Sequence, residues 1–74
     1  MGIMNKKKLY KLVEERKYEE VLDILIEKNV IVKEIKDNYI DKKNKQSSGL
    51  LKYGAWSQFL KQLDAALIEI IYSA

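Results

Sequence analysis

The 74-residue chain has no cysteine, no histidine and no proline, and only three glycines. Each absence removes a class of explanation. Without cysteine there is neither a disulfide nor a thiolate nucleophile, so a fold this small forgoes the staple that many short domains use. Without histidine or cysteine the common zinc-ligand sets fail, and general acid–base catalysis loses its most frequent agent. A carboxylate-bridged metal in a helical bundle would want inward glutamates with a histidine three residues on, which this chain cannot supply. With glycine only at 2, 49 and 54, no segment matches the phosphate-cradling P-loop or dinucleotide fingerprints. Ser47, Ser48, Ser57 and Ser73 have no base but lysine to activate them. Long apolar runs are missing too. Even residues 50–74 carry Lys52, Lys61, Asp64 and Glu69, far from the about 18 apolar residues of a membrane-spanning helix. Lys6, Lys7 and Lys8 resemble the charged start of a secretory signal, but the apolar stretch after them is short and broken by Lys11. These absences point to a non-enzymatic, cytoplasmic protein with no cofactor, no metal and no small-molecule substrate.

What is present is helical periodicity. Leu9, Leu12 and Val13 share one face of a helix expected over 5–15, with Asn5 as its N-cap. Tyr18, Val21, Leu22, Leu25 and Ile26 form a full amphipathic stripe over 18–28. The short join at Arg16-Lys17 predicts an antiparallel hairpin of these two helices. Asn29 is expected to end the second helix in the left-handed conformation. The β-branched run Val30-Ile31-Val32 weakens a helix there, but a lone strand has no partner. A third helix is expected over 32–43 with Ile35, Tyr39 and Ile40 inward. Residues 44–49, Asn-Lys-Gln-Ser-Ser-Gly, read as a loop from which Ser47 or Ser48 caps the last helix. That last segment, about 49–73, is the strongest: Tyr53, Trp56, Leu60, Leu63, Leu67, Ile70 and Ala74 recur at alternating spacings of three and four, a heptad seam. Gly54 early in this segment would let the helix begin as late as Ser57. The fold class is therefore all-α: a small three- to four-helix bundle, one domain over 1–74, with an N-terminal helical hairpin and a long C-terminal amphipathic helix. Residues 1–4 are expected to be disordered or partly vector-derived, with Met4 as the natural start.

The stretch Glu-Glu-Arg-Lys-Tyr-Glu-Glu-Val-Leu-Asp-Ile-Leu from Glu14 to Leu25 resembles the join of helices in helical-hairpin repeats such as the tetratricopeptide repeat. The likeness covers about a dozen residues, in one copy and without that repeat's small residues, so it implies a helical hairpin and not membership of the family.

Two functional readings emerge. A chain this short buries little of its surface, and its C-terminal segment is apolar on more than one side. The aromatic types clustered at 53, 56 and 59 are those enriched at interface hot spots. An interface is therefore expected from Tyr53, Trp56, Phe59, Leu60, Leu63, Leu67, Ile70 and Ile71, serving an oligomerising or adaptor subunit: a homo-oligomer, or part of a larger complex. The alternative is a small DNA- or RNA-binding regulator. Lys6, Lys7, Lys8 and Lys11 form one basic cluster, and Lys42, Lys43 and Lys45 another. If the two met on one face they could track a phosphate backbone, with Tyr10 and Tyr39 near enough to stack on bases. Residues 20–43 also read as a helix-turn-helix with Asn29 in its turn. The net charge of +3 permits this without demanding it. Membrane-surface adhesion is weaker, with only Lys52 and Lys61 on the polar face of the last helix. The paired carboxylates Glu14/Glu15, Glu19/Glu20 and Asp23/Glu27 are expected on solvated faces. Glu69, amid Ile68, Ile70 and Ile71, is expected to face water.

Overall fold

The computed structural model describes residues 5–74 and holds four α-helices: α1 (Lys6–Glu14), α2 (Tyr18–Glu27), α3 (Lys33–Ser47) and α4 (Tyr53–Ser73). The all-α bundle with an N-terminal hairpin and a long last helix is what the chain forms. The expectations for residues 1–4 lie outside the described residues.

Helix boundaries follow local chemistry. The Asn5 side chain accepts a hydrogen bond from the Lys8 backbone N–H at 3.1 Å, capping α1 as its sequence position implies. The first three helices then stop in one way. Past the end of each, one residue takes the left-handed conformation: Arg16 at φ 63°, Asn29 at φ 60°, Gly49 at φ 83°. Its N–H and that of the next residue bond back to the last turn: Arg16 to Val13 O and Lys17 to Leu12 O, Asn29 to Ile26 O and Val30 to Leu25 O, Gly49 to Gln46 O and Leu50 to Lys45 O. This is the Schellman pattern, which satisfies carbonyls the helix end would leave unpaired. Gly49 and Asn29 suit the conformation; Arg16 carries a Cβ penalty there.

Three expectations need correction. The expected loop 44–49 is helical through Ser47, because no residue before Gly49 forces a stop; the connection is 48–52. Ser48 does not cap α4. Its Oγ donates to Lys45 O, and α4 starts at an extended Lys52 with no side-chain cap. Ile35 stays 36% exposed, because α3 contributes a single buried residue, Tyr39, and meets its neighbours along a narrow line. The β-branched run at 30–32 forms the connection between α2 and α3; among the described residues there is no strand.

Each helix packs on the next, and α4 closes the ring on α1, leaving α1 and α3 diagonally opposed. The core is Leu9 and Val13 from α1, Tyr18, Val21, Leu22 and Leu25 from α2, Tyr39 from α3, and Leu63, Leu67 and Ile71 from α4. No charged side chain is buried among them. Tyr39 is the aromatic hub, with ring centroids 5.9 Å from Tyr18, 5.9 Å from Trp56 and 6.5 Å from Phe59.

Lengths decide where the surface stays open. The hairpin helices α1 and α2 have 9 and 10 residues, α3 has 15 and α4 has 21. At 1.5 Å per residue the hairpin spans roughly 15 Å, about half of α4. It lies against the C-terminal half: Lys6 Nζ donates to Tyr72 O at 3.1 Å, and Tyr10 and Ile68 line one groove. The N-terminal half of α4 therefore projects past the hairpin with the end of α3 beside it, as a two-helix tip, in a molecule 42 Å long and 20 by 16 Å across.

Candidate association surface

The heptad seam divides where the hairpin ends. Leu63, Leu67 and Ile71 are 9%, 1% and 0% exposed and belong to the chain's own core. This corrects the expectation that they face a partner: the apolar residues of α1 and α2 already cover them. Ile70 is half-buried and helps line a shallow groove of about 470 Å³ with Val30 and Ala66. On the projecting tip, Trp56, Phe59 and Leu60 are half-buried and Tyr53 is 75% exposed. Leu50, in the connection beside them, is 79% exposed. The Trp56 and Phe59 rings stack at 5.8 Å, and Lys42 Nζ sits 5.5 Å from the Phe59 ring centre.

Between the tip and the α1–α2 turn lies a cavity of about 270 Å³, walled by Tyr53, Trp56 and Leu60 and rimmed by Arg16 and Lys61, with Asp64 at its base. Asp64 Oδ1 is buried, as is Tyr18 Oη, and neither completes a hydrogen bond of normal geometry. Burial first, and the neighbouring Asp64 carboxylate second, push the Tyr18 phenol up to about 12. Burial likewise raises the Tyr39 phenol.

The two lysine clusters do not meet. Lys6, Lys7, Lys8 and Lys11 lie on α1, whose first turn sits at the C-terminal end of α4. Lys42, Lys43 and Lys45 lie on the diagonal helix, in its last turns, at the opposite end of the molecule. The basic start of α1, unfavourable for its own dipole, is placed beside the C-terminus of α4, where cations are favoured. Several of these lysines have acidic partners: Lys43 pairs with Glu19 at 2.8 Å and Lys45 with Asp41 at 3.1 Å. With the Lys36–Asp23 pair, Lys43–Glu19 ties α3 to α2 side by side and antiparallel, which is not the steep crossing of a helix-turn-helix. Side-chain hydrogen bonds to Asp23 and Glu19 hold the Lys36 and Lys43 ammonium groups above their ordinary pKa.

Glu69 is exposed. Among the described residues no group of three or more acidic side chains is arranged to hold a metal, and no helix is long and apolar enough to cross a membrane. Sequence reasoning does not single out Arg16, Lys61 or Leu50 as site residues. The available signal is Arg16's place in a two-residue helix join, where a left-handed residue is common. Comparison with family models, with curated proteins and with solved structures finds no match.

Proposed function

We propose that this protein is a non-enzymatic association module, an oligomerising or adaptor subunit, that engages another protein through the tip formed by α3 and α4. One observation carries the reading: at the start of α4 and in the connection before it, Tyr53 and Leu50 are 75% and 79% exposed, while Trp56, Phe59 and Leu60 behind them are only partly covered by the chain's own core. Clustered exposed apolar and aromatic side chains on so small a chain are the usual mark of a contact with another chain. Charge supports the same reading. The 15 residues of α3 carry eight charged side chains, whereas the 21 of α4 carry only Lys61, Asp64 and Glu69. A helix face kept this poor in charge is suited to contact rather than to solvation. A cytoplasmic location is part of the proposal, and cell fractionation tests it.

Site-specific photo-crosslinking in cells tests the association. A photoreactive phenylalanine at Tyr53 should give a discrete adduct, and one at the exposed Glu20 on α2 should not. An adduct of twice the chain mass identifies self-association; any other mass identifies a different protein. Equal adducts at both positions, or none at Tyr53, would refute the reading.

The second reading, a small DNA- or RNA-binding regulator, is favoured by the positive charge of the tip. Residues 40–62 hold Lys42, Lys43, Lys45, Lys52 and Lys61 against Asp41 alone. Nucleic acid carried through purification would show as an elevated 260/280 nm ratio that falls in high salt.

A further inference from the structure

We propose that the cavity between the α1–α2 turn and the tip is the docking site for an acidic amphipathic helix of a different protein. One apolar side chain of that helix would enter between Tyr53, Trp56 and Leu60, with its carboxylates against Arg16 and Lys61. This rests on the association reading above and names the partner's chemistry.

Charge selects the partner. The five lysines and one acid of residues 40–62 give a net +4, while the whole chain is +3, so everything outside the tip sums to −1. Two copies meeting tip to tip would bring like charges together, which disfavours a second chain here. An acidic surface is attracted. The cations nearest the cavity are also those available to it. Among the described residues the two cations that line it, Arg16 and Lys61, form no ion pair, whereas Lys43 and Lys45 are engaged with Glu19 and Asp41, and Lys42 lies on Phe59. Arg16 and Lys61, at the rim of a cavity lined by Tyr53, Trp56 and Leu60 together with Ser57 and Asp64, suit one or two carboxylates beside an apolar anchor better than the continuous phosphate track of a nucleic acid. Asp64, whose Oδ1 is turned into the protein, adds one negative charge to this lining, and Arg16 and Lys61 together leave it a net +1.

Shape agrees with charge. A cavity of about 270 Å³ accommodates one large side chain with its neighbouring atoms. Arg16 adds an energetic argument. It holds φ 63°, a conformation in which glycine or asparagine is less strained. Strain tolerated beside a cavity is consistent with a side chain retained for contact.

The only tryptophan, Trp56, reports on the cavity. The probes are a designed helical peptide with leucine on one face and glutamate on the other, and its counterpart with lysine for glutamate. The acidic peptide should shift Trp56 emission saturably and bind at least about tenfold more tightly than the lysine peptide. The double variant Arg16→Gln/Lys61→Gln should weaken it about tenfold, as two rim charge pairs would, while circular dichroism shows an unchanged fold. Equal binding of both peptides would overturn the acidic partner and leave the association reading standing. Binding of neither peptide would also overturn it, and absence of any crosslink at Tyr53 would remove the association reading as well. A single-stranded oligonucleotide that displaces the acidic peptide with a steep salt dependence would replace the proposal with nucleic-acid binding. A dimer in light scattering that Tyr53→Lys dissolves would replace it with a second copy.

Discussion

Arg16 gives a test in which the backbone, not a contact, sets the sign. The residue closes α1 in the left-handed conformation at φ 63°, which costs a residue with a Cβ about 1–2 kcal/mol. Glycine at 16 removes that strain but loosens the unfolded chain, which costs about 0.4–1 kcal/mol. The net expectation for Arg16→Gly is a gain of roughly 0.5–1 kcal/mol, or about 2–8 °C in Tm for a domain this small. Arg16→Ala keeps the strain and should be no more stable than the parent. The side chain is exposed and makes no ion pair among the described residues, so its loss removes little. Urea and thermal melts followed by circular dichroism at 222 nm measure both variants. Inside a helix alanine beats glycine by about 1 kcal/mol; at position 16 the order should reverse. Alanine equal to or better than glycine would refute the account of this turn. If Arg16 also serves the tip cavity, the stabilised glycine variant should bind the acidic peptide more weakly, a trade of function for stability.

Leu67→Ala removes a side chain that is 1% exposed at the centre of the core; a loss of about 2–5 kcal/mol is expected. A chain of this length has only about 4–11 kcal/mol in total, so a melt should show a much lower Tm or no cooperative transition. Ile68→Ala, one residue along and 47% exposed, should cost less than about 1 kcal/mol, and equal effects would contradict the packing described. Alkaline pH should destabilise the protein. Burial and Asp64 raise the Tyr18 phenol from 10.0 to about 12, so the folded state favours the neutral phenol. That stabilisation is complete below pH 10 and is lost as pH rises toward 12. Lys36, Lys43 and Tyr39 shift in the same direction. Tyr18→Phe, which removes an oxygen without a completed hydrogen bond, should be close to neutral at pH 7 and lose less stability between pH 10 and 12 than the parent. Parallel pH-dependent melts of the two proteins check this.

Much of the fold is legible in the sequence because it is local. The helical spacing of Leu9/Val13 and Tyr18/Val21/Leu22/Leu25 marks the two buried faces that the hairpin brings together, and the short Arg16-Lys17 join leaves little room for another arrangement. Asn5 and Asn29 act at the positions their side chains and backbone preferences imply. The end of α3 is harder to read, for a local reason as well. A polar run such as residues 44–47 looks like a loop by composition, yet nothing in it breaks a helix until Gly49.

The candidate site is only half legible, because a heptad seam states that a face is apolar and not what covers it. By itself the sequence determined an all-α bundle of three to four helices, the apolar stripes of the hairpin and of the last helix, and the absence of histidine and cysteine chemistry. Tertiary structure alone decided that Leu63, Leu67 and Ile71 are covered within the chain while Tyr53, Trp56 and Leu60 are left at a tip. It likewise decided that the two lysine clusters stand at opposite ends. The physical reason is length: a hairpin of 9- and 10-residue helices can shield only about half of a 21-residue helix. Which half it shields depends on contacts between α1 and α4, on the order of fifty residues or more apart in the chain, and no local pattern encodes that.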